Sequence, residues 1–66
     1  MYFYFNNKKI YSKQNFSIRE LLAFLDINVG LITLEYNSFV YPKEFWVNTI
    51  IKNQDKITIV TIVGGG

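Results

Sequence analysis

Residues 56–63 read KITIVTIV, and three glycines follow at 64–66. β-Branched side chains are stiff about χ1 and suit a pleated surface, so the stretch predicts a strand. Successive side chains alternate across a strand, which sets Ile57 and Ile59 on one face and Thr58, Val60 and Ile62 on the other. Where this strand inserts among the others decides the fold.

Working outward, MYFYF at 1–5 also alternates, with Met1, Phe3 and Phe5 on one side and Tyr2 and Tyr4 on the other. NNKK at 6–9 predicts a tight turn, since asparagine tolerates left-handed backbone angles. IYSKQ at 10–14 is the expected returning strand of an N-terminal hairpin. SIRELLAFLD at 17–26 predicts a helix. Ser17 stands three residues before Glu20, as in a capping box, with Phe16 as the staple residue. Ile18, Leu21, Leu22 and Leu25 share one helical face, and Arg19, Glu20 and Asp26 point away from it. Gly30 is expected to end the helical region.

LITLEY at 31–36 predicts a third strand, NSF at 37–39 a turn, and VYP at 40–42 a short edge strand closed by Pro42. KEFWVNTI at 43–50 predicts one irregular turn that dips Phe45 and Trp46 into the core, and KNQD a polar turn before the last strand. A hairpin, a helix and further strands in this order imply an α+β fold with one helix across one face of a mixed sheet. If the final strand inserts beside the first and parallel to it, the fold is the β-grasp, or ubiquitin-like, fold. Residues 1–63 are expected to form one domain and 64–66 a flexible glycine tail.

Composition narrows the chemistry. The 66 residues contain no cysteine and no histidine. That excludes disulfides, thiolate metal sites, a cysteine nucleophile and the commonest general base. The five acidic residues are scattered, without the close pair that acid–base hydrolysis uses. Ser17 has no base to activate it. The chain therefore reads as a non-enzyme, with no metal and no bound cofactor. Half the residues are apolar, enough for a core. The apolar run from Ile57 to Val63 is far shorter than the ~20 residues that cross a bilayer, and the N-terminus lacks the pattern of a signal peptide. A cytoplasmic protein is expected, with the plastid stroma as the alternative, and no membrane partner. Net charge is +2. Lys8, Lys9 and Lys13 cluster, but the basic stripe of a nucleic-acid binder is not evident, and the three read as a solvated hairpin.

The terminal VGGG, the segment NSFVYPKEFW at 37–46 and the total length together resemble the ThiS family of thiamine-biosynthesis sulfur carriers. Asn37, Val40, Pro42 and Trp46 fall on that family's pattern, while Lys43 stands where arginine is commoner. The resemblance implies a C-terminal carboxylate on Gly66 that a ThiF-type adenylating enzyme activates with ATP. A sulfur donor of the cysteine-desulfurase pathway then makes it a thiocarboxylate, which a ThiG-type thiazole synthase consumes. On this reading Gly64 and Gly65 belong to the tail, and a β-carbon at Gly65 or Gly66 would crowd a narrow nucleotide pocket and restrict the backbone.

Val60, Ile62, Thr58 and Tyr4 are the expected partner-binding residues, an apolar patch on the sheet face away from the helix and leading to the tail. Tyr2 shares that face. Trp46 reads as a core anchor and Asn37 as a turn residue. Two relatives share tail activation: the small subunit of molybdopterin synthase and ubiquitin-like modifiers that form isopeptide bonds. A function of another class, a small nucleic-acid-binding β-domain using Tyr2 and Tyr4, accounts for the tyrosines but not the glycines.

Overall fold

A computed structural model describes residues 1–61. Its N-terminal hairpin joins β1 (Tyr2–Phe5) to β2 (Lys8–Tyr11), antiparallel, with Tyr2 opposite Tyr11 and Phe5 opposite Lys8. The turn is Asn6 and Asn7 alone, with φ of 50° and 68°. Two successive left-handed residues make the tight connection whose twist matches paired strands. Lys8 and Lys9 are therefore strand residues rather than part of the turn. The strand also ends at Tyr11, short of the expected Gln14.

The helix, α1 (Ile18–Phe24), starts where the sequence predicts. Ser17 Oγ accepts from the Glu20 N–H at 3.0 Å, and Glu20 Oε1 accepts from the Ser17 N–H at 2.8 Å. A cap of this kind contributes about 1 kcal/mol, which matters for a helix of two turns. Ile18, Leu21 and Leu22 are buried. The helix stops before the predicted end because Asp26 adopts φ 57°, leaving Leu25 as the cap and 37% exposed. Gly30 lies beyond it, in a separate 3₁₀ turn at Val29–Leu31 whose start is capped by Asn28 Oδ1.

β3 (Ile32–Tyr36) and β4 (Phe39–Val40) form a second hairpin around Asn37 and Ser38, both at positive φ. The edge strand thus takes Phe39 from the predicted turn, while Tyr41 and Pro42 lie past its end. A 3₁₀ turn at Lys43–Phe45 follows and delivers Trp46 to the core. Trp46 is buried, and its Nε1–H donates to the Tyr41 carbonyl at 2.9 Å. Phe45 does not accompany it and remains 49% exposed, contrary to the sequence expectation.

β5 (Lys56–Thr61) occupies the centre of a five-stranded sheet of order β2-β1-β5-β3-β4. It runs parallel to β1, with Tyr4 opposite Lys56, and antiparallel to β3, with Tyr36 opposite Ile57 and Ile32 opposite Thr61. The first and last strands meet side by side, which is the mixed sheet of the β-grasp fold. Phe3, Leu34 and Ile57 are fully covered on the helix side of the three central strands.

Candidate functional site

Alternation and register define the other, open face of the sheet. Tyr2 and Tyr4 of β1 lie on it, and across from them Tyr11 and Lys9 of β2. Lys56, Thr58 and Val60 continue it along β5, with Glu35 and Thr33 of β3 opposite Thr58 and Val60. The tyrosine end is internally organised. The Tyr2 and Tyr4 rings meet edge-on at 6.0 Å, and Lys9 Nζ sits 4.2 Å from the centre of the Tyr2 ring. Contact with the Tyr11 hydroxyl and the nearby phenols favours the charged amine and raises the Lys9 pKa. At the other end Val60 is 48% exposed on the strand that leads toward residue 66. Thr58 and Tyr4 are half-buried between these ends. Ile62, Gly64, Gly65 and Gly66 lie outside the described residues.

β5 is held at its start and again midway by side chains that sequence reasoning passed over. Midway along it, Asn6 grips the strand where β1 stops. The Asn6 N–H donates to the Ile57 carbonyl at 2.9 Å, and Asn6 Oδ1 accepts from the Ile59 N–H at 2.8 Å. The left-handed Asn6 thus serves as turn residue and as a substitute for the missing strand partner. At the entrance stands Asp55, buried although acidic. Its carboxylate accepts from the Tyr36 hydroxyl, from Asn37 Nδ2 at 3.2 Å and from the Lys52 N–H at 2.7 Å. Asn37 also accepts from the Lys56 N–H through Oδ1 at 2.8 Å. It is more than a turn residue, because it ties the β3–β4 hairpin to the first residue of β5. The signal available in the sequence was Asp55 itself, a single acid immediately before an apolar strand.

Burial, followed by the Asp55 contact, raises the Tyr36 pKa well above its ordinary value of 10.0. A raised acid pKa in the fold means that the stabilisation is complete below pH 10 and is lost as pH rises toward the folded-state value. Asp55→Ala would leave three donors without their acceptor. At about 1–3 kcal/mol for each donor that stays dry, a loss of about 3 kcal/mol is expected in urea unfolding. An unchanged unfolding curve would show that the cluster does not secure the start of β5. Among the described residues no three of His, Cys, Asp or Glu come together to hold a metal ion, and no helix is long and apolar enough to cross a membrane.

A single short helix laid across a five-stranded sheet, with the C-terminal strand in its middle, defines a β-grasp protein. The model of the ThiS family matches residues 3–66, and the chain belongs to that family. Membership places it among ThiS-like sulfur carriers rather than among catalysts. The fold is similar to the crystal structure of the thiamine biosynthesis protein ThiS from Geobacter metallireducens, with a TM-score of 0.85, 26% identity and complete coverage of both chains. The solution structure of a thiamine biosynthesis protein from the same organism aligns with a TM-score of 0.76 and 25% identity over 100% of this chain and 88% of that one. In sequence the chain is 44% identical over 64 residues to a protein of Trieres chinensis called uncharacterized protein ycf40, covering 97% of this chain and 88% of that one. A protein of the same name from Porphyra purpurea is 39% identical over 61 residues, covering 92% and 86% of the two chains.

Proposed function

We propose that this protein is the sulfur carrier of thiazole formation in thiamine biosynthesis. The Gly66 carboxylate attacks the α-phosphorus of ATP in the pocket of a ThiF-type adenylating enzyme, and pyrophosphate leaves. A persulfide from the cysteine-desulfurase pathway then attacks the acyl carbon, and AMP leaves with one former carboxylate oxygen. Cleavage of the resulting S–S bond by a thiol reductant yields the thiocarboxylate, which a ThiG-type thiazole synthase consumes. The protein supplies no catalytic side chain in this scheme. It supplies a main-chain carboxylate on a thin tether and a face by which two enzymes recognise it in turn.

The observation that carries the reading is the extent of the family match, which runs through residue 66 and so includes the glycine tail. The position of Val60 supports it, as an exposed apolar side chain on the strand from which the tail continues. Val60, Ile62, Thr58 and Tyr4 form the docking surface in this proposal. ATP is consumed by the partner and is not a cofactor of the carrier, and the compartment is the cytoplasm or a plastid stroma. The test is intact-mass measurement after incubation with a ThiF-type enzyme, ATP and a persulfide source. A mass gain equal to the exchange of one oxygen for sulfur, mapped to the C-terminal peptide, is expected. Transfer of the carrier onto lysine side chains instead would establish the modifier function, and a molybdopterin-synthase large subunit that accepts sulfur from it would redirect the pathway.

A further inference from the structure

The β2 edge of the sheet carries a second feature that the carrier chemistry does not use. The sheet has two edges. β4 is only two residues long and is followed closely by Pro42, so little of its backbone is available. β2 is longer, contains no proline, and no strand among the described residues covers its outer side.

The register shows which backbone groups are on offer there. Met1 and Ser12 exchange both hydrogen bonds, at 2.9 Å each. Such pairs alternate in an antiparallel ladder, so Lys9 and Tyr11 turn their N–H and C=O groups outward. Beside this edge, between β2 and α1, runs an apolar groove of about 450 Å³ lined by Ile10, Phe16, Leu21, Phe24 and Leu25. Phe24 is 85% exposed, the most exposed large apolar side chain among the described residues. The one carboxylate on the groove, Glu20, is already engaged by the Ser17 N–H in the helix cap.

Charge selects the occupant. Lys8, Lys9 and Lys13 fall along this edge, and residues 8–13 contain no acid. Lys8 shares the face of Ile10, and Lys13 directly follows Ser12 on the groove wall. Lysines on an edge strand discourage pairing with a second copy, which would bring like charges together. The same lysines attract carboxylates. Edge protection alone would not account for a solvent-facing phenylalanine over an apolar groove.

We propose that the β2–α1 groove docks an extended apolar segment of a partner protein flanked by acidic residues. The segment adds to the sheet as a strand beside β2, accepting from and donating to Lys9 and Tyr11. Its alternate side chains enter the groove between Ile10 and Phe24, and its flanking carboxylates meet Lys8 and Lys13. This goes beyond sulfur transfer and requires neither ATP nor the tail.

The experiment titrates the isotope-labelled full chain with a short synthetic peptide of valine and isoleucine bracketed by aspartates, followed by amide NMR. Saturable shifts and slowed hydrogen exchange at Lys9 and Tyr11 are expected, weakening as salt is added. Phe24→Ser should lower affinity roughly tenfold without changing the unfolding curve, because the ring is exposed. A peptide with lysines in place of the aspartates should bind at least roughly tenfold more weakly. Equal binding of the two peptides, or shifts centred on Thr58 and Val60, would overturn the proposal. So would the absence of saturable shifts along β2. Concentration-dependent pairing of β2 without peptide would assign the groove to a second copy and overturn it as well.

Discussion

Appending one alanine after Gly66 is expected to leave the unfolding curve unchanged and to abolish sulfur loading. One extended residue adds about 3.5 Å of chain, so the new carboxylate overshoots the α-phosphorus by more than a bond length. A misplacement of even about 1 Å can cost roughly a hundredfold in rate, and on the proposed mechanism the added β-carbon would also crowd the channel that receives the tail. Deleting Gly66 should fail for the complementary reason, with the carboxylate falling short. Both variants keep every described element of the fold, since these end at Thr61. Oxygen-for-sulfur exchange read by intact mass, with adenylation read by pyrophosphate exchange, gives the result directly. Efficient loading of the extended chain would remove the terminal carboxylate from its proposed role.

The second large effect separates docking from folding at two positions on opposite faces of one strand. Val60→Asp places a carboxylate on a side chain that is already 48% exposed, so the free protein is expected to keep its stability. Burying that unpaired charge against an apolar partner surface is strongly unfavourable. The adenylation rate at low carrier concentration should therefore fall by more than about a hundredfold, mainly through KM. Ile57→Asp, by contrast, buries a carboxylate in the core, because Ile57 is fully covered. A domain of this size has about 3–10 kcal/mol of stability in total, less than an unpaired buried charge removes. That variant should be unfolded in water by circular dichroism. If Val60→Asp loads sulfur at the normal rate, docking does not use this end of the open face.

These predictions depend on features of unequal visibility in the sequence. The alternation of Phe3 and Phe5 with Tyr2 and Tyr4, the Ser17–Glu20 box and the β-branched run from Ile57 are local patterns. They identified β1, the start of α1 and β5, because each reports a period or a spacing of three residues along the chain. The glycine tail was equally plain as a motif, and the family match extends across it.

Local pattern misled where a single backbone angle overrides it. The apolar stripe of α1 continues to Leu25, yet Asp26 at φ 57° ends the helix there. Asn6 and Asn7 close the hairpin in two residues, so Lys8 and Lys9 became strand residues and their neighbour Ile10 came to line the groove. Phe45 and Trp46 are adjacent and both aromatic, and only the core could decide which was buried.

What the sequence by itself determined is the set of elements, the two faces of β5 and the class of carrier to which the chain belongs. Only the tertiary structure decided that Asn6 caps Ile59, that Asn37 and Tyr36 converge on Asp55, and that Phe24 stands beside an open strand edge. Periodicity records which face of an element is buried. It carries no information about which polar atoms meet when residues 18, 19 or 53 positions apart are brought within hydrogen-bond distance, because that depends on how whole strands are ordered in the sheet.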